Sequence, residues 1–356
     1  MIEKHNLKLW IMGLFLIFCQ SSLSQAFANA GVFYGAGHQI IPIKNKDIQL
    51  KSEAVRFSIH VPPDSGQYGI PAIPVVHVEA TFELINKTGK KVSLQVGFPF
   101  HSLEGALEKN ALKNLHFIAE NEGGRRKTTL KEGKIEKKLD PRGLFKKVFC
   151  WDETFKPHER KVLKVSYALN MSLDFMPAGA IQTMTDLLAI KFQPLELAYQ
   201  FSYITKTAYT WAPPLEKAEF VADLTPLYEQ FKKPQSWSLK DFFKNMPFVS
   251  KPLICWSADP RAQKKNNILT WTFSKQALPE SLEFMVHVVA LPIKLEELKT
   301  YLQAKKKTLT EKHYIKLLHF AQKRYQEASG FLLYEEDEKD LPSIDKFLAN
   351  EIKSNS

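Results

Sequence analysis

Cysteine is scarce in this chain. There are three among 356 residues, and only Cys150 and Cys255 lie beyond the apolar N-terminal segment. So few thiols leave no cysteine-based zinc spacing to build on. There is no His-Glu-x-x-His, no Gly-x-Ser-x-Gly and no phosphate-binding Gly-Lys-Ser/Thr, so the common zinc-peptidase, serine-hydrolase and nucleotide-loop chemistries have no motif to rest on. Beyond the first thirty residues no apolar run approaches the roughly 20 residues a membrane helix needs.

What is present begins at the N-terminus. Lys4 and Lys8 precede an unbroken apolar run, Leu9 to Cys19, and Ala28-Asn29-Ala30 offers a small-x-small step for a signal peptidase. Residues 1–30 therefore read as a signal peptide, with the mature chain beginning at Gly31. The expected location is periplasmic or extracellular after cleavage following Ala30, with no transmembrane span in the mature chain. The remaining residues, 31–356, are enough for two packed domains.

The net charge of +11 favours anionic partners. Export argues against nucleic acid, leaving an anionic envelope component or another envelope protein as the expected partner. Basic residues cluster between Arg125 and Lys147. Their composition reads as a solvated hairpin with Glu132-Gly133 as its turn, or as an anion-binding surface led by Arg125, Arg126 and Lys127. No aromatic residues are interleaved as a base-stacking platform requires.

Period-two alternation dominates the middle of the chain. Val55, Phe57, Ile59 and Val61 alternate with polar neighbours, as do Val76, Val78, Ala80, Phe82 and Leu84, and then Val92, Leu94, Val96 and Phe98. These read as half-buried antiparallel strands, with Asn86 to Lys90 as a hairpin connection. Phe155 to Glu159 is a turn feeding the strand Val162 to Leu169. The expected class is mainly β: a sandwich-like domain over 31–175 and a second β-rich region over 176–293, or two halves of one large sandwich. The second region contains Tyr199–Tyr203, Phe220–Leu224, Ile268–Phe273 and Phe284–Leu291, interrupted by Leu227–Pro252 with a short helix at Leu239–Met246.

From Leu295 the period becomes helical, giving a C-terminal helical segment over 294–356. Leu295, Leu298, Tyr301 and Leu302 share one face, and Tyr314, Leu317, Leu318, Ala321 and Tyr325 form a stronger stripe behind the cap Thr310. Gly330 ends that helix, and Pro342-Ser343 starts a last one running through Ile352. This tail packs on the sandwich or serves as a docking arm.

Cys150 and Cys255 are each followed by tryptophan, and an even count in an exported chain makes one disulfide between them the expectation. It would close a loop of roughly 100 residues and stabilise by about 4–5 kcal/mol in the chain-entropy picture. His60, His77 and His287 sit between aliphatic residues, which turns them to the outer, exposed face of their strands. Glu79 and Glu83 are likewise in outward phase. No catalytic residue, cofactor or metal ligand set emerges.

Ile48-Gln49-Leu50-Lys51-Ser52-Glu53-Ala54-Val55, the stretch Thr81 to Thr88, and the ending Gly97-Phe98-Pro99 resemble the opening of the exported bacterial family filed as domain of unknown function 4424. Tyr203-Ile204-Thr205-Lys206-Thr207-Ala208-Tyr209-Thr210-Trp211 is similar to that family's strand-loop motif ending in Trp, and Ile268 to Phe284 to its later strand pair. Where the family often has glycine after the tryptophan, this chain has Ala212-Pro213-Pro214. The resemblance implies export and a β-rich fold, and brings no catalytic residues. The function expected is a non-enzymatic, envelope-associated binding or structural module, the alternative being an envelope-polymer hydrolase with its site between the two β regions.

Overall fold

The computed structural model describes residues 26–28, 31–34, 39–42, 44–61, 74–100, 115–133, 147–177, 195–231, 252–275, 278–279, 281–292, 294–328 and 340–355. The fold is mainly β, with a helical C-terminal segment. Eight strands form the first sheet. In spatial order they are β16 (Gln263–Lys265), β17 (Ile268–Ser274), β14 (Lys217–Asp223), β4 (Ile48–His60), β5 (Val75–Asn86), β11 (Arg160–Asn170), β7 (Ile118–Asn121) and β8 (Gly124–Arg125).

The second sheet has ten strands. It runs β10 (Lys147–Phe155), β9 (Thr129–Gly133), β3 (Gln39–Pro42), β2 (Gly31–Tyr34), β6 (Val92–Phe100), β1 (Ala26–Ala28), β13 (Leu195–Ile204), β18 (Ser281–Pro292) and β15 (Pro252–Ala258). The tenth strand, β12 (Ser172–Pro177), pairs with β13, and β10 also pairs with β6.

The alternation read from sequence is what builds the interface between the sheets. Val55, Phe57 and Ile59 of β4 are buried while Ala54 and Arg56 are exposed, and Val76, Val78, Ala80, Phe82 and Leu84 of β5 are all buried. Successive side chains point to opposite faces, so one face of each strand is committed to the core. Phe57 reaches across to the second sheet, with ring centroids 5.0 Å from Phe201, 5.4 Å from Tyr203 and 6.3 Å from Phe284. Further along, Phe98 meets Tyr167 at 5.3 Å. Glu53 is 1% exposed among these rings and accepts a hydrogen bond from the Tyr203 hydroxyl at 3.4 Å. Burial pushes the Tyr167 and Tyr203 phenols well above their usual range, and the charge of Glu53 adds to it.

Strands from residues 31–175 and from 176–293 share both sheets. β14 lies parallel to β4, with Phe220 opposite Val55, and β1 lies parallel to β13. One continuous apolar core spans them. The connection Asn86 to Lys90 is not the hairpin its composition suggests, because β5 and β6 belong to different sheets. It is a crossover fixed by Asn86, whose buried amide donates to the carbonyls of Lys90 at 2.7 Å and Lys156 at 2.8 Å and accepts from the Thr88 N–H at 2.9 Å. The Phe155–Glu159 turn makes the return crossover beside it, with His158 at φ 58° and its N–H donating to the Thr88 carbonyl at 3.1 Å.

A helix α1 (Thr225–Phe231) follows β14; the helix expected at Leu239–Met246 lies outside the described residues. The C-terminal helices are α2 (Leu295–Lys306), α3 (Glu311–Ala328) and α4 (Leu341–Asn355). Their buried apolar residues are, in α2 and α3, those of the stripes, namely Leu298, Tyr301 and Leu302, then Tyr314, Leu317, Leu318, Ala321 and Tyr325, and α4 adds Leu341, Ile344 and Leu348. α2 packs against β18 and α3 against β15, and the Tyr325 hydroxyl donates to the Pro292 carbonyl. The tail thus covers the second sheet. No helix among the described residues is long and apolar enough to cross a membrane.

Because Phe57 contacts three rings of the opposite sheet, Phe57→Ala is expected to cost about 3–5 kcal/mol of stability. Urea unfolding of the two proteins checks this; a change below about 1 kcal/mol would show that the inter-sheet layer is not close-packed there.

Candidate ligand-binding site

Four segments, drawn from three stretches of chain distant in sequence (44–50, 205–215 and 275–279), converge at one end of the sandwich. The first is the approach to β4. Asn45 accepts hydrogen bonds through its side-chain oxygen from the N–H groups of Asp47 at 2.9 Å and Ile48 at 2.7 Å, a side-chain-closed turn that launches the strand. The second is the 3-10 turn Lys206–Thr210, locked where the Thr210 hydroxyl donates to the Thr207 carbonyl at 2.7 Å.

Backbone hydrogen bonds join these two segments. The Asn45 N–H donates to the Thr210 carbonyl at 2.6 Å, and the Ala212 N–H to the Ile48 carbonyl at 2.9 Å. Ala212 also forms a parallel bridge with Gln49. The Ala212-Pro213-Pro214 run, where the resembling family often has glycine, is therefore held in register with β4. The buried Gln49 amide secures it by donating to the Pro214 carbonyl at 2.6 Å, and the Pro213–Pro214 peptide is cis. Leu215 continues this third segment. The fourth contributes Lys275 and Leu278, tied in where the Thr205 hydroxyl donates to the Pro279 carbonyl.

Between the segments lies a cavity of about 700 Å³, within the range of small-molecule sites. Its apolar wall includes Leu50, Trp211, Ala212, Leu215 and Leu278, with Pro213 and Pro214 beside them. Trp211 is 3% exposed. Lys44, Lys46 and Lys275 line the same cavity and are exposed, and its described lining includes no aspartate or glutamate. The arrangement offers an apolar surface to the body of a ligand and positive charge to its head. Both Ile48–Val55 and Tyr203–Trp211, quoted above for the family resemblance, contribute to this wall. Sequence reasoning did not reach the pocket, because no periodicity links Lys44, Trp211 and Lys275.

The basic segment is arranged differently from its reading. Glu132 and Gly133 belong to β9, not to a turn, since they pair with β10 and β3. The turn lies earlier, at Glu122-Gly123, with Gly124 at φ 98°, a left-handed conformation suited to glycine. Arg125 and Lys127 are exposed. Arg126 turns inward instead: its guanidinium lies 3.3 Å from the Glu153 carboxylate and donates to the Asp152 carbonyl at 3.1 Å. Glu153 is 1% exposed and is also held by Lys161 at 3.2 Å and by the Asn121 amide at 3.1 Å. The remainder of the basic run, residues 134–146, lies outside the described residues.

The structure holds no bridge at Cys150, and the strands of Cys150 and Cys255 stand far apart in the sheet order. Cys150 is a buried free thiol on β10, opposite Gly97 of β6. Cys255 lies on β15, opposite His287 of β18. Going from β10 to β15 in the sheet passes β6, β1, β13 and β18. Strands lie about 4.8 Å apart, so this separation far exceeds the roughly 7 Å that a bridge tolerates between Cα atoms. Burial pushes the Cys150 thiol up to about 12, with Asp152 assisting and Lys131 opposing.

His60 and His77 do face outward, their rings 4.7 Å apart, and partial burial followed by the neighbouring His60 lowers the His77 pKa. His287 does not share that exposure: it is 9% exposed, in the sheet that the C-terminal helices cover. Among the described residues no group of three or more His, Cys, Asp or Glu is placed to hold a metal ion.

Two measurements test these assignments. Arg126→Gln is expected to destabilise by about 1–2 kcal/mol because it takes a partner from a buried carboxylate, whereas the exposed Arg125→Gln stays within about 0.5 kcal/mol; equal denaturation midpoints would contradict the inward placement. For Cys150, the unfolded thiol releases its proton near 9.0 and the folded one near 12. The folded state binds more protons in that window, so stability falls as pH rises through it. Melts from about pH 8 to about pH 11 should show wild type losing stability faster than Cys150→Ala, and parallel curves would refute the buried thiol.

No protein-family model and no curated protein matches the chain. Among solved structures it is similar to a protein of Legionella pneumophila subsp. pneumophila strain Philadelphia 1 described as a candidate nutrient-binding protein, at 13% identity and a TM-score of 0.47, over 94% of this chain and 98% of that one. It is also similar to an M1 zinc metallopeptidase from Deinococcus radiodurans, at 11% identity and a TM-score of 0.26, over 69% of this chain. A two-domain M1 zinc metallopeptidase matches at 9% identity and a TM-score of 0.26, over 68% of this chain. The chain spans 43% and 44% of the length of those two peptidases. Likenesses this distant assign no activity.

Proposed function

We propose that this chain is an exported binding module, related to the family it resembles, that takes an anionic molecule with an apolar body into the pocket beside Trp211. The observation that carries this reading is the pairing of an apolar wall with Lys44, Lys46 and Lys275 around one cavity without a described carboxylate in its lining. Burial of the ligand body on Leu50, Trp211 and Leu278 supplies affinity at about 25 cal/mol per Å² of apolar surface removed from water. The exposed lysines supply attraction and orientation, which salt weakens. The polar groups lining the cavity serve the fold: the Asn45 side-chain oxygen closes a turn, and the Thr205 hydroxyl binds the Pro279 carbonyl. The hydrolase alternative would bring carboxylates or histidines together, and the described lining holds neither, so the binding reading is favoured. Export is supported by the charged and apolar N-terminal pattern, and the exposed Arg125 and Lys127 add a second basic surface for an anionic envelope component.

Anilinonaphthalene sulfonate and phenylnaphthylamine share an aromatic body and differ in the anionic group. The sulfonate is expected to bind about tenfold more tightly at low salt, a difference of about 1.4 kcal/mol, with quenching of tryptophan fluorescence. The variant carrying Lys44→Gln, Lys46→Gln and Lys275→Gln should lose that preference. Equal affinity for both probes in the wild type, or an undiminished preference in the variant, would overturn the proposed ligand class.

A further inference from the structure

We infer that residues 26–28 stay in the exported protein as a strand that closes the second sheet, and that the leader is cut upstream of them, after Ser22-Leu23-Ser24. The inference rests on the export reading and revises the cleavage point after Ala30.

The pairing register carries it. β1 runs parallel to β13, placing Ala26 opposite Ser202, Phe27 opposite Tyr203 and Ala28 opposite Ile204. On its other side Phe27 lies opposite Phe100 of β6. In the strand order β1 joins two groups: β10, β9, β3, β2 and β6 on one side, and β13, β18 and β15 on the other.

Neighbouring pairings show that this position is a continuation of existing edges. β12 occupies the same side of β13 up to Gln200, where it ends opposite Ser172, and β1 takes over from Ser202. β2 occupies the same side of β6, with Gly31 opposite Gly97, and β1 extends that edge to Phe100. Residues 26–28 and 31–34 therefore follow one antiparallel course along β6. A cut after Ala30 would fall between them and discard the first part. It would leave the backbone of Ser202 to Ile204 unpaired on that side, and unpaired backbone inside a sheet is costly.

Sequence supplies an alternative cut. Ser22-Leu23-Ser24 is a small-x-small step two residues beyond the apolar run ending at Cys19, and cleavage there leaves a 24-residue leader within the usual range. The first mature residue is then Gln25, one position before β1, as expected for a terminus tied down in a sheet.

The test has two arms. N-terminal sequencing with intact mass of the exported protein should find Gln25 first; an exported chain that begins at Gly31 overturns the inference while leaving export intact, and a chain that keeps Met1 overturns the cleavage itself. Independently of export, the polypeptides 25–356 and 31–356 are produced without a leader and melted side by side. The shorter one should melt about 3 °C or more lower, or fail to fold where the longer one folds. Equal melting temperatures would reject the strand's role.

Discussion

Everything in this molecule depends on two sheets burying their facing sides against each other. The contact is dominated by rings: Phe57 lies against Phe201, Tyr203 and Phe284, and Phe98 against Tyr167. Aromatic side chains bury large areas and prefer tilted or edge-on pairs over flat sandwiches, so they set the spacing between the layers as well as filling it. Glu53 sits within this layer on Tyr203. A buried carboxylate with a phenol partner contributes less stability than an apolar residue of its size would, and it is costly to displace.

Strand positions were legible because burial on one face imposes period two. Core residues in β4, β5 and the C-terminal helices fall where alternation and the helical stripe put them. Which strand joins which sheet was not legible. Asn86 to Lys90 has the composition of a hairpin, yet its asparagine spends its hydrogen bonds on Lys90 and Lys156 and so links two crossovers. Composition reports that the chain turns; it does not report to which layer it returns.

The same limit applies to the sites. A run of arginine and lysine gives no sign that Arg126 turns in toward Glu153 while its neighbours turn out, since the buried carboxylate that draws it lies 27 positions later, on β10. Two cysteines each followed by tryptophan suggested a pair, but strand order separates them. The pocket at Trp211 was least legible, because it is assembled from loops whose only common property is where the strands beneath them end.

The parallel pairing of β4 with β14 sets the order in which the chain can fold. Val55 is opposite Phe220, so β4 has one permanent neighbour close behind it in β5 and waits for the other until most of the polypeptide has been made. Contacts of such long sequence separation form slowly, after the entropy of closing a large loop has been overcome. A chain synthesised from its N-terminus therefore carries an incomplete first sheet, with one side of β4 open, until residues 217–223 arrive. Until then the first sheet can pair β4 only with β5, and the core between β4 and its parallel neighbour stays unfilled.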